Sequence, residues 1–131
     1  MGHEFTVVGT PSQQGSKRHV GNGRMVEMSK RLPAWRATVI RAARESHGEG
    51  WEALDGPLSV GLTVYLARPK STKFPDYPAG APDLDKLQRA IGDALKLAGT
   101  IHDDARIVTW HAKKRWAVGC EPGAVISIET L

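Results

Sequence analysis

Residues 83–99, DLDKLQRAIGDALKLAG, decide the fold of this chain. Asp83 follows a proline and is a natural N-cap, and Gly99 is a natural stop for a helix. Apolar residues recur between these two positions at helical spacing. They are Leu84, Leu87, Ile91, Ala94, Leu95 and Ala98. We therefore predict an amphipathic helix over residues 83–98.

The segments on either side of this helix have the alternation of β-strands. Residues 58–67 alternate apolar with small or polar side chains and predict a central strand with one buried face. Residues 106–116 and 124–130 predict two closing strands, because they are rich in β-branched and aromatic residues. Residues 69–82 contain four prolines and predict a loop. Strand 58–67, helix 83–98 and strand 106–116 could form a parallel crossover, which should be right-handed.

Toward the N-terminus the pattern is less regular. Residues 5–9 predict a short strand, and an Asn-Gly pair within residues 16–29 predicts a basic hairpin or loop. A second amphipathic helix follows, with Pro33 in its first turn. Its apolar positions are Leu32, Trp35, Val39 and Ala43. Together these elements predict an α+β fold, in which a mixed β-sheet has both helices packed on one face. The strand order is left open.

Length and composition restrict the class of protein. The 131 residues suffice for a single domain, residues 1–131, and 40% hydrophobic with 24% charged residues is close to an ordinary globular chain. No stretch approaches the roughly 20 apolar residues of a membrane helix, and no basic segment precedes an apolar run at the start. We therefore expect a cytoplasmic protein with no membrane partner. Cys120 is the only cysteine, which excludes an internal disulfide and a zinc site built on several thiolates.

Charge is distributed unevenly in this protein, whose net charge is +4. Residues 1–50 carry a basic surplus, whereas five aspartates fall between positions 83 and 104. A basic surface around an acidic patch is unsuited to binding a polyanion alone, because the carboxylates would repel phosphate. The pattern is suited to a divalent cation between carboxylates and a phosphate.

The aspartates form two pairs at the two ends of the predicted helix. Asp83 and Asp85 stand at its start, where an N-cap role is the simplest alternative explanation. Asp103 and Asp104 follow its end. Since a helix of this length spans about 22 Å, the pairs can share an ion only if the chain runs back along the helix or if two subunits contribute.

Arg89 lies one turn after Asp85 and one turn before Asp93, on the polar face of the helix. This spacing suits a guanidinium that holds a phosphate beside the carboxylates. The alternative is a ladder of surface ion pairs, each worth a few tenths of a kcal/mol.

Residues 83–107 closely resemble the RusA family of Holliday-junction resolvases. The family pattern is D-x-D-N-L-x-K at a helix start, D-A-L within the helix and D-D-x-x-V before the next strand. This chain has DLDKLQR at 83–89, DAL at 93–95 and DDARI at 103–107. Lys86 stands where the family has asparagine, and Arg89 where it has a functional lysine. The similarity is looser over the first and last strands.

The resemblance implies a homodimer that cuts branched DNA, the four-way junction, by magnesium-dependent phosphodiester hydrolysis during recombination and repair. Asp83, Asp85 and Asp104 match the essential metal-binding acids, with Asp103 beside them as a fourth candidate ligand. Arg89 would stabilise the negative charge that develops on the phosphate.

DNA contacts are expected from basic side chains outside the aspartate region. The candidates are Lys17, Arg18, Arg24, Lys70, Lys73, Lys113 and Lys114. Phe74 and Tyr77 could stack on bases or pack locally. Two alternatives stay open, a non-catalytic branched-DNA-binding module and a hydrolase of small phosphoesters. Substitution of Asp104 separates these classes, because only an enzyme would lose turnover and keep DNA binding.

Overall fold

The structure, a computed structural model, describes residues 2–14 and 24–131, with the backbone alone for residues 24–30. The strands are β1 (Gly2–Val8), β2 (Leu58–Leu66), β3 (Ile107–Trp116) and β4 (Gly123–Thr130). The helices are α1 (Arg24–His47) and α2 (Leu84–Leu97), and a 3-10 turn spans Asp104–Arg106.

The four strands form one mixed sheet in the order β1-β4-β2-β3. β2 and β3 are parallel, from Leu58 opposite Ile107 to Leu66 opposite Trp116, and α2 connects them. The predicted parallel crossover is thereby confirmed. β4 lies antiparallel to both β1 and β2, so β2 is an inner strand and β3 an edge strand.

One face of the sheet carries the hydrophobic core. β2 buries every second side chain, as an amphipathic strand does. Both helices contribute to the same core cluster and contact each other, which confirms an α+β fold with the helices on one face. The helix residues of this core are Trp35, Val39, Ala43, Leu87, Ala90, Ile91, Ala94, Leu95 and Ala98.

α2 matches its prediction closely. Asp83 is the N-cap residue, and the chain leaves the helix at Gly99, whose φ of 74° lies in the left-handed region that favours glycine. The Thr100 N–H donates to the Leu95 carbonyl and closes the C-terminus. No helix in the described ranges 2–14 and 24–131 is long and apolar enough to cross a membrane.

The N-terminal predictions need correction. α1 begins at Arg24, so a hairpin or loop over residues 16–29 is wrong for residues 24–29, and residues 16–23 lie outside the described residues. Pro33 is inside α1 rather than in its first turn. A proline removes one backbone hydrogen bond, but burial of Trp35 and Val39 against the sheet favours one continuous helix. β1 also begins three residues early, because Gly2 pairs with Glu129 of β4.

Candidate active site

Asp83 stands at the N-cap position of α2 without acting as a cap. Its backbone is extended, but its side chain makes no capping hydrogen bond. Instead, its Oδ2 lies 3.6 Å from the Lys86 Nζ, and the side chain is 55% exposed. Such a surface pair contributes little. The capping alternative is therefore not realised, and the carboxylate remains accessible.

Asp85 and Arg89 lie one turn apart on the exposed side of α2. Within residues 2–14 and 24–131, neither side chain forms a hydrogen bond or an ion pair. The ladder of surface ion pairs through Asp93 is thus not formed among these residues. As far as the described part of the chain is concerned, both groups are free to bind a ligand.

Asp104 lies against the side of α2 rather than beyond its end. The 3-10 turn brings it back along the helix, so that a Cβ added to Gly92 would be 3.5 Å from the Asp104 Cβ. Gly92 is seven residues after Asp85, which is about 10 Å along a helix axis. Of the two ways to overcome the 22 Å separation, the structure shows the first: the chain runs back along α2 and brings Asp104 toward Asp85.

A pocket of about 280 Å³ joins the two halves of the site. Its lining residues are Asp85, Gln88, Arg89, Gly92, Asp104, Ile107 and Trp110. Asp83 and Asp103 are outside this lining. The sequence interpretation missed Gln88 and Trp110. Alternation along β3 could have identified Trp110, since its partner Val60 is buried on the helix-covered face.

Crowded carboxylates set the electrostatics of this pocket. A hydrogen bond with Asp103, burial, and the negative charges of Asp103 and Asp93 raise the pKa of Asp104, and Lys96 opposes this only in part. The pKa of Asp103 is lowered, first by the Ala105 N–H that donates to its Oδ1 at 3.2 Å and then by the hydrogen bond with Asp104. A nearby cation would favour the charged form of both carboxylates and would offset their mutual repulsion.

The donor set fits a magnesium ion in chemistry, although not as a complete cage. Magnesium prefers a few carboxylate oxygens supplemented by water and substrate phosphate. Asp85 and Asp104 supply such oxygens in one pocket, and Asp83 and Asp103 adjoin them in sequence. No three His, Cys, Asp or Glu side chains gather as a metal cage in the part of the chain that the structure describes.

The predicted DNA contacts have different surroundings. Lys70, Lys73 and Lys113 are exposed, whereas the Lys114 Nζ donates to the carbonyls of Gly80 and Pro82 at 2.8 and 2.9 Å. Arg24 begins α1. Lys17 and Arg18 lie outside the described residues.

The two loop aromatics are partly accessible. Tyr77 is 62% exposed, with the Arg115 guanidinium 5.2 Å from its ring centre, and Phe74 is 43% exposed. The Trp116 Nε1 donates to the Phe74 carbonyl at 2.8 Å, which fixes this part of the loop to β3.

Comparison with known proteins agrees with the motif in α2 and the 3-10 turn. No curated protein matches the chain. The family model described as Endodeoxyribonuclease RusA matches residues 7–129, nearly the whole chain of 131 residues. The chain therefore belongs to the RusA endodeoxyribonuclease family.

Proposed function

We propose that this protein is a structure-selective endodeoxyribonuclease that resolves four-way DNA junctions by magnesium-dependent hydrolysis, in recombination and repair. The observation that carries the proposal is the pocket shared by Asp85, Arg89 and Asp104. On one concave surface, two carboxylates can hold a metal ion, and a guanidinium that is unpaired within residues 2–14 and 24–131 can bind a phosphate. Membership of an endodeoxyribonuclease family supports DNA as the substrate.

Asp85 and Asp104 would hold the metal ion, with Asp83 and Asp103 as further candidate ligands. When bound, magnesium supplies a water of lowered pKa and neutralises charge on the scissile phosphate. Arg89 would bind the phosphate oxygens and stabilise their increasing charge. Because a guanidinium stays protonated, Arg89 would not transfer a proton.

Exposed basic side chains would hold the DNA around this pocket. Lys70, Lys73 and Lys113 are exposed and would contact phosphates together with Lys17, Arg18 and Arg24. Two symmetrical incisions can be made by two symmetrically related active sites, which a homodimer would provide. We also propose that the protein acts in the cytoplasm, as expected from its sequence.

The test is cleavage of a labelled synthetic four-way junction and of a matched linear duplex, with Mg²⁺ or with EDTA. The wild type should make paired nicks in the junction only with Mg²⁺, and Asp104→Asn should bind the junction without cutting it. Asp76→Asn, in the loop at 69–82 and exposed, is the matched control and should cut. Binding without cleavage in every divalent metal would instead establish a non-catalytic DNA-binding module.

A further inference from the structure

The segment that leads into α2 is held from two other elements of the fold. From β3, the Lys114 Nζ donates to the Gly80 carbonyl at 2.8 Å and to the Pro82 carbonyl at 2.9 Å. From the segment after β1, the Gln13 Oε1 accepts the Asp83 N–H at 2.6 Å. The Gln14 N–H donates to the Lys86 carbonyl at 3.1 Å. Four hydrogen bonds thus fall on residues 80–86.

These bonds replace the usual local cap of a helix. A capping box takes an acceptor side chain at the third helical position to satisfy the N–H of the cap residue. That position here is Lys86, which has no acceptor. Gln13, 70 residues away, accepts the N–H of Asp83 instead. Asp83 makes no capping bond of its own, and its exposed carboxylate instead forms the surface ion pair with Lys86.

Lys114 differs from its neighbour Lys113 in both exposure and partners. Lys113 is exposed, whereas Lys114 is half-buried and donates two hydrogen bonds, of the three that its ammonium group can make, to backbone carbonyls. Its strand partner Val64 is buried on the helix-covered face of the sheet. A lysine held in this way is poorly placed to follow a DNA backbone.

We propose that Lys114 and Gln13 are positioning residues, which fix the start of α2 and thereby hold Asp85 in the pocket that it shares with Asp104, with Asp83 beside that pocket. This inference rests on the proposed function. It assigns Lys114 a different task from the phosphate contact expected from sequence. Removal of groups that orient metal ligands lowers metal affinity or activity by about 10- to 100-fold.

The test compares Lys114→Met with Lys113→Met and with Lys114→Arg. In metal-free protein, Lys114→Met should speed hydrogen exchange of the Asp83 and Leu87 amides roughly tenfold. It should also weaken Mg²⁺ binding, measured by calorimetry, roughly tenfold, and raise the Mg²⁺ concentration needed for cleavage. Junction binding in EDTA should stay near the wild-type value. Lys114→Arg keeps the donors and should restore much of the Mg²⁺ affinity.

Lys113→Met provides the contrasting behaviour. It should weaken junction binding in EDTA and leave both the Asp83 exchange rate and the Mg²⁺ affinity unchanged. If Lys114→Met instead behaves like Lys113→Met, with weaker junction binding and unchanged exchange, Lys114 is a phosphate contact and the positioning role is overturned.

Gln13→Leu removes the acceptor of the Asp83 N–H. It tests the positioning of the start of α2 even if Lys114→Met fails to fold. It should speed exchange at Asp83 and weaken Mg²⁺ binding, as Lys114→Met does. Gln14→Leu is its control, because it removes only a side-chain bond to Arg36 and keeps the backbone bond to Lys86. A wild-type protein that cuts no junction would refute the proposed function, whereas exchange and calorimetry would still decide the positioning role.

Discussion

Arg89 is the residue whose surroundings bear most directly on the chemistry. It lines the pocket with Asp85 and Asp104, and it forms no hydrogen bond or ion pair within residues 2–14 and 24–131. A long cation beside two carboxylates would ordinarily pair with one of them to lower its energy. Its donors are instead available for a phosphate.

Arg89→Ala should therefore lower kcat for junction cleavage by about 100-fold, because one donor to the transition-state charge is lost. Arg89→Lys keeps the charge and should recover part of that loss. Single-turnover cleavage at saturating Mg²⁺ measures both effects. Arg41→Ala, which changes an exposed arginine of α1, is the control. Equal rates for Arg89→Ala and the wild type would remove Arg89 from the mechanism.

The aspartate pair predicts a pH dependence of metal binding. The hydrogen bond and charge of Asp103 raise the pKa of Asp104, so the proton on Asp104 competes with a cation at a higher pH than for an ordinary aspartate. Mg²⁺ affinity should fall as the pH drops through this raised pKa. Asp103→Asn removes the neighbouring charge and should lower the Asp104 pKa. Carboxyl-carbon NMR titration of metal-free protein measures it, and an Asp104 midpoint identical in both proteins would contradict the prediction.

At the scale of elements, the contact between α2 and the 3-10 turn brings the site together. Gly92, buried in the middle of α2, is where the two approach, with Asp104 and Trp110 across the contact. A glycine inside a helix lowers stability relative to alanine. Because Asp104 approaches closely here, only a small side chain fits at this position.

The effect of a substitution at Gly92 on stability should therefore depend on the size of the new side chain. An alanine Cβ would lie 3.5 Å from the Asp104 Cβ, an ordinary contact, so Gly92→Ala should stabilise the fold by about 0.5–1 kcal/mol. Gly92→Val adds methyl groups at the same contact and should destabilise by about 1–3 kcal/mol, with slower junction cleavage as Asp104 is displaced. Urea unfolding measures the first effect. A valine variant as stable as the alanine variant would show that this contact is not close-packed.

The elements predicted best from sequence are those whose pattern and burial agree. α2 and β2 each bury one regular face, so periodicity, together with the cap and stop residues of α2, predicted their limits within a residue or two. The prediction for residues 24–29 was wrong because an Asn-Gly pair is a strong local signal for a turn, and because Pro33 suggested that the helix starts there. The Asn-Gly pair lies outside the described residues, but α1 already begins at Arg24 and continues through Pro33, since packing of Trp35 and Val39 outweighs local preference.

The sequence predicted which residue types form the candidate site, but not how these residues come together. The aspartates and Arg89 were selected because they match the family motif at 83–107. Their approach depends on a 3-10 turn and on Gly92, which no periodicity marks. The hydrogen bonds of Gln13 and Lys114 to residues 80–86 are also long-range, so the local sequence does not predict them.

At the scale of the whole molecule, the proposed function gives the basic surplus and the acidic pocket separate roles. Exposed lysines on the loop at 69–82 and on β3 would hold phosphates by charge, with counterion release. The aspartates would attract the metal and not the DNA. Binding and cleavage should therefore respond to different changes.

Salt dependence provides a test of this separation. Each phosphate contact adds about 0.9 to the slope of log K against log salt concentration. Lys70→Met combined with Lys73→Met should reduce the slope for junction binding by nearly 2, whereas Asp104→Asn should leave the slope unchanged. Fluorescence anisotropy in EDTA at several salt concentrations measures it. An unchanged slope in the double variant would exclude these lysines from the DNA interface.

The proposed homodimer predicts how the two incisions are coupled. If each subunit carries its own pocket of Asp85, Arg89 and Asp104, one subunit cuts one strand of the junction. A dimer formed from one wild-type and one Asp104→Asn subunit, isolated with two different affinity tags, should then nick a junction once and leave the opposite strand intact. A plasmid-borne cruciform distinguishes the results, because one nick relaxes the plasmid whereas paired nicks linearise it. Linear product from the mixed dimer would mean that one pocket serves both strands, and complete inactivity would mean that each pocket needs Asp104 from both subunits.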